Sequence, residues 1–145
     1  SLMMENTAES LEWLSFAKEL GISVAVDDFG TGYSSLSYLK RFPVDIIKID
    51  RAFIADMNVN DEDEALVMAI IAMARSLNMK VVAEGVENYQ QLDMLRNKQD
   101  HCSIIQGFLF APPMPADQFH SFYRNFDFNR YCKKLPSRFR KYSAS

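Results

Sequence analysis

Asp27 and Asp28 end one apolar run of the chain and Lys48 and Asp50 end a second, while Glu84 and Glu87 follow a third and Gln106 a fourth. Carboxylates gathered without histidine or cysteine at ligand spacing suit hard divalent cations such as Mg2+ or Mn2+ better than zinc. A lysine beside such ions can orient water or neutralise charge developing on a phosphate. Hydrolysis of a phosphate ester is the reaction these residue types suggest. Taken singly, each has a plainer role: an acid after a strand is commonly a helix cap or turn residue, and Lys48 could simply pair with Asp50 or Asp28. The repetition over four successive runs is what argues for a shared site.

The elements that would position these residues are legible from their period. Ile22 to Val26, Asp45 to Ile49, Lys80 to Ala83 and Ser103 to Phe108 are nearly continuous in apolar residues, as strands covered on both faces of a parallel sheet are. Leu66, Ile70, Met73 and Leu77 predict one face of a helix from about Glu64 to Asn78, with acids at its front. Leu11, Leu14 and Leu20 predict an earlier helix ended by Gly21, and a short helix follows the first strand. Asn88 can cap a helix carrying Leu92 and Leu95, and Pro115 can open one with Phe119, Phe122, Tyr123 and Phe126 on one side. The order is α/β throughout, and the carboxyl ends of parallel strands are where α/β folds build their sites. Asp27 and Asp28 are neighbours, so both can face one site only if the strand ends between them.

The 145 residues are 48% hydrophobic and 24% charged, which bounds the chain to one cored domain. A net charge of -3 disfavours a general DNA or RNA polymer binder. Arg124 to Ser145 holds seven basic residues and one acid, so residues 136–145 read as a basic, loosely tied tail after a domain over residues 1–135. Cys102 and Cys132 have neither metal-site spacing nor disulfide density and read as reduced thiols. His101 and His120 lack ligand spacing, and Tyr33 and Tyr38 read as packing residues. No apolar run approaches the ~18 residues of a membrane span, and a cytoplasmic location is expected.

Asp27-Asp28-Phe29-Gly30-Thr31-Gly32-Tyr33-Ser34-Ser35-Leu36, Lys48-Ile49-Asp50, Glu84-Gly85-Val86-Glu87 and Gln106-Gly107 resemble, in order and approximate spacing, the motifs of the EAL family of cyclic di-GMP phosphodiesterases. The resemblance runs to about Phe119, and the ten-residue DDFGTGYSSL stretch is its most specific part. It implies a TIM-like (β/α) barrel, of which about four βα units, the C-terminal half, lie here. It also implies a two-metal Mg2+ or Mn2+ site, hydrolysis of cyclic di-GMP to linear pGpG, and a role in bacterial second-messenger signalling. By motif position Asp27 is similar to the acid bridging the two metals, Asp28 and Glu84 to ligands of the second, and Lys48 to the residue holding the attacking water. Gln106 corresponds to a pocket-wall residue, Gly30, Thr31 and Gly32 to a mobile loop linked to dimerisation, and Glu87 to a residue supporting that loop.

The departures carry expectations of their own. The family's Glu-Ala-Leu signature and two further ligands, an Asn and a Glu, belong upstream of the segment that Ser1 to Asn6 resembles, so the two-metal site is incomplete in this chain. Glu64-Ala65-Leu66 spells the signature in the wrong place, at a helix start, and is assigned no catalytic role. The chain alone is expected to be nearly inactive. Half a barrel exposes two sheet edges and an apolar face, which predicts a homo-oligomer of half barrels covering one another. An upstream sensor or GGDEF-type domain, or a membrane attachment through upstream segments, would suit a parent protein of this family. The alternative function is a non-catalytic cyclic di-GMP receptor or protein-interaction module.

Overall fold

The computed structural model of the chain describes residues 7–30, 36–96 and 102–134. Thr31, Gly32, Tyr33, His101 and the basic tail after residue 135 lie outside the described residues, as does the segment from Ser1 to Asn6. Four strands, β1 (Ala25–Phe29), β2 (Ile46–Ile49), β3 (Lys80–Ala83) and β4 (Ile104–Ile105), form one parallel sheet in the order β1-β2-β3-β4. Helices α1 (Thr7–Glu19), α2 (Leu36–Arg41), α3 (Arg51–Asp56), α4 (Asp61–Ser76), α5 (Tyr89–Arg96), α6 (Ala116–Asn125) and α7 (Phe128–Cys132) precede, connect and follow them. Sequential strands side by side, joined by helical crossovers, make the partial barrel expected of consecutive βα units.

The core lies between the sheet and helices α3 to α5. Ile47 and Ile49 of β2 are fully buried with Ile54 of α3, Val67 and Ile71 of α4, and Leu92 and Leu95 of α5. β2 and β3 run in continuous register, Ile46 opposite Lys80 through Ile49 opposite Ala83. They are the rigid pair on which Lys48 and Glu84 are mounted.

Three expectations shift. The first strand begins at Ala25 rather than Ile22; just before it Val24 is held at the start of β2, its N–H donating to Asp45 Oδ2 at 2.8 Å and its carbonyl accepting from Asp45 and Ile46 N–H. The fourth strand has two residues rather than six. After Ile105 the chain leaves the ladder to wrap Val86, whose N–H donates to the Gln106 carbonyl and whose carbonyl accepts from Leu109 N–H. Gly107 makes that wrap possible, since a Cβ there would sit 2.0 Å from the Val86 carbonyl oxygen. On α4 the buried residues are Val67, Ile70, Ile71 and Ala74, with Met73 and Leu77 of the expected face partly buried against the same core. The helix starts at Asp61, where Asn60 accepts from Glu62 N–H, and Leu66 turns to the rim, 39% exposed.

Gly21 (φ +77°) follows α1 and Asn78 (φ +56°) follows α4, as the stop signals predict. Asn88 accepts from Gln91 N–H at the start of α5. α3 and α7 have no sequence expectation behind them. Each is a single short turn held by an aspartate cap, Asp50 and Asp127, too brief to show a period. Cys102 is a free, buried thiol whose pKa burial pushes up, in keeping with an unreactive structural cysteine. No helix among the described residues is long and apolar enough to cross a membrane.

Candidate metal centre and substrate mouth

The carboxyl ends of β1, β2 and β3 bring Asp27, Lys48 and Glu84 together. The Lys48 ammonium lies 2.8 Å from Asp27 Oδ1 and 2.6 Å from Glu84 Oε1, bridging two strands that flank its own. Asp28 joins them: one carboxylate oxygen from each of Asp27, Asp28 and Glu84 falls within 4.8 Å of the others.

The two neighbouring aspartates share the site without the strand ending between them. The β1–β2 register shifts between Val26 and Phe29, and Asp28 sits in the left-handed region at φ 51° inside that bulge. An extended chain would send the two side chains to opposite faces; one left-handed residue cancels the alternation. Aspartate tolerates this conformation better than most residues. The strained residue and the acidic cluster are therefore the same feature.

The cluster's charges are unbalanced. The Lys48 hydrogen bond holds the Asp27 carboxyl below its ordinary value. The charge of Asp27 is the main cause that pushes Asp28 up, with desolvation, Asp50 and Glu84 adding to it. Hydrogen bonds to Asp27 and Glu84 raise Lys48 and keep it an ammonium, which can donate protons in hydrogen bonds but cannot serve as a general base. Three carboxylates beside one cation, which bonds two of them, leave room for more positive charge. Oxygen donors so close together fit a hard divalent ion.

Lys48 thus pairs with Asp27 and Glu84. Asp50 instead caps α3, its Oδ1 accepting from Ala52 N–H at 2.7 Å. Gln106 stands at the same rim, where its backbone N–H donates to the Ala83 carbonyl, and lines an open cavity of 1280 Å3 with Glu84, Arg51 and the aromatic rings of Phe108 and Phe119. Glu87 lies apart from the three-carboxylate cluster and pairs with Arg51 at 2.7 Å. Gly30 leaves β1 at φ +107° beside Phe53.

Two residues that sequence reasoning passed over organise the mouth. Arg51 lies across Gly85, where a Cβ would meet its Cγ at 2.3 Å and where φ is +73°. Gln91 is 3% exposed, and its Oε1 accepts from Glu87 and Asn88 N–H while its Nε2 donates to the Ile54 and Ala55 carbonyls. It stitches the turn after Glu84 to α3. A glutamine in the first turn of a helix with a capping asparagine three residues earlier was the available signal.

Comparison with known proteins matches the chain to a family. A sequence model of the EAL domain matches residues 1–113. Cyclic di-GMP phosphodiesterase NbdA of Pseudomonas aeruginosa is 47% identical over 127 residues, which are 88% of this chain and 16% of that protein. The solved PaMucR phosphodiesterase in complex with c-di-GMP superposes with a TM-score of 0.74 at 46% identity, covering 82% of this chain and 47% of that one. The Klebsiella pneumoniae BlrP1 manganese/cy-diGMP complex superposes at 0.68 with 33% identity, over 77% of this chain and 28% of that one. The chain spans about half of the first of these solved structures and about a sixth of the curated relative.

Proposed function

This chain belongs to the EAL domain family, and from that premise we propose that it supplies one half of the mouth of a metal-dependent phosphodiesterase that hydrolyses cyclic di-GMP to linear pGpG. The observation that carries the reading is the convergence of Asp27, Asp28 and Glu84 on one point, with Lys48 already bonded to two of them. Asp27, Asp28 and Glu84 would hold Mg2+ or Mn2+. Such ions supply the positive charge that draws electron density from the phosphoryl group and makes water nucleophilic at neutral pH.

The protein's own residues do the rest. Lys48, locked as an ammonium, orients the attacking water or a phosphate oxygen by donating to it. Attack forms a new P–O bond as the bond to the ribose oxygen breaks; the proton that water gives up ends, through solvent, on that leaving oxygen as a hydroxyl, and charge growing on the phosphate oxygens is met by the same ammonium. Gln106 and the cavity rim place the dinucleotide. The Arg51–Glu87 pair holds the turn after Glu84 in place.

Alone, the chain binds but does not turn over substrate, because the remaining ligands of a two-metal mouth are not among its residues. A fluorescent cyclic di-GMP titration with and without Mn2+, followed by chromatography of the nucleotide, tests this. The expected result is Mn2+-dependent binding, lost in Lys48→Met, with no pGpG. Absence of binding overturns the reading, and turnover by the chain alone overturns its incompleteness. Binding without hydrolysis by a whole parent protein would select the receptor alternative.

A further inference from the structure

β2 and β3 part where the site begins. Ile49 and Ala83 are their last paired residues, and Glu84 N–H still donates to the Ile49 carbonyl at 3.2 Å. Beyond that bond one chain turns into α3 and the other into the turn 84–88. Lys48 and Glu84 are carried by these two diverging ends, so whatever ties the ends together sets the geometry of their contact.

The Arg51–Glu87 ion pair ties them in solvent, with side chains 64% and 43% exposed, where such pairs contribute little. The Gln91 amide ties them out of solvent, at 3% exposure. Its Oε1 accepts from Glu87 and Asn88 N–H at 2.8 and 3.1 Å, and its Nε2 donates to the Ile54 and Ala55 carbonyls of α3 at 3.0 and 3.3 Å. Half of this pattern is ordinary capping: Asn88 accepts from Gln91 N–H and Gln91 from Asn88 N–H, the reciprocal pair that opens many helices. A glutamate caps a helix in that way equally well. The donor half is left unexplained by capping. A carboxylate has no proton to give α3, whereas an amide accepts from the turn and donates to α3 at once.

We propose that Gln91 is a positioning residue of the metal centre, its amide fixing the spacing of the β2 and β3 chain ends and with it the approach of Glu84 to Lys48, Asp27 and Asp28. Gln91 acts through the turn and not as a ligand. The inference rests on the reading that these carboxylates hold a divalent ion, and it goes further by assigning part of the ion's affinity to a buried strut between two loops.

Mn2+ titration of the full chain, read from the free-ion electron paramagnetic resonance signal, tests it with Gln91→Glu and with Leu95→Ala, a deletion on the buried apolar face of the same helix. Gln91→Glu keeps the cap, loses the bonds to α3 and adds a negative charge that by itself favours a cation. The expected result is Mn2+ affinity about tenfold weaker in Gln91→Glu and unchanged in Leu95→Ala, although Leu95→Ala also lowers the urea midpoint. Natural affinity in Gln91→Glu reduces the residue to a cap and overturns the proposal while leaving the metal reading intact. Equal weakening in both variants traces the loss to general loosening and overturns it too. A natural sequence that takes up no Mn2+ refutes the metal reading itself, and the inference with it. Hydrogen exchange on the natural chain needs no variant: Mn2+ is expected to slow exchange in the turn 84–88 and in α3 together, and slowing confined to the turn contradicts the strut.

Discussion

Asp28 carries the least comfortable charge at the mouth, pressed by Asp27, Asp50 and Glu84 and held in a left-handed bulge. Its pKa in the fold lies above that of the unfolded chain, so its contribution to stability is present below the unfolded value and is lost as pH rises through the folded one. Asp27, depressed by Lys48, runs the other way: its contribution is present above its unfolded value and is lost as pH falls through the folded one. Asp28→Asn is therefore expected to raise the thermal midpoint slightly at neutral pH without added metal, and to abolish further stabilisation by Mn2+. Melting curves with and without the ion check both halves; a lowered midpoint without metal would show that Asp28 does not suffer the repulsion assigned to it. The types and order of these residues were legible in the sequence. The way Asp28 joins Asp27 was not, because it depends on one backbone angle inside a strand, and a run of letters read as extended places the two on opposite faces.

The turn from Glu84 to Asn88 is the element that converts a strand end into a site. Gln91 satisfies two of its N–H groups and two carbonyls of α3, from a position almost free of solvent. Gln91→Ala leaves those groups without their partner and is expected to cost about 3 kcal/mol, read as a lowered urea midpoint at unchanged slope. A cost near zero would mean that water replaces the amide and that the turn is held by other contacts. Long elements with full periods, α4 and the β2–β3 pair, were readable to within a few residues. The short ones were not: β4 ends where Gly107 lets the chain wrap Val86, and α3 depends on a single cap at Asp50. On α4 Ile70, Met73 and Leu77 of the expected face meet the core, but Val67 turns inward in place of Leu66, since the two are equally apolar and only the packing partner decides between them.

At the largest scale, the chain is a four-stranded partial barrel that covers 47% of the solved PaMucR chain. The sequence conveyed this through motif order, since the strand ends bearing Asp27, Lys48, Glu84 and Gln106 are consecutive and the signature strand is not among them. It did not convey how much apolar surface the half barrel leaves uncovered, because Phe119 and Tyr123 look the same in a buried helix and a bare one. On the reading proposed above, Asp27 and Asp28 of β1 and Glu84 after β3 share one divalent ion. This is tested most directly by titrating the chain with Mn2+ while following the free-ion electron paramagnetic resonance signal, for the natural sequence, Glu84→Gln and Glu87→Gln. A saturable site that weakens about tenfold or more in Glu84→Gln, and is unchanged in Glu87→Gln, is the predicted result. Equal Mn2+ uptake by all three, or none by any, would contradict the account.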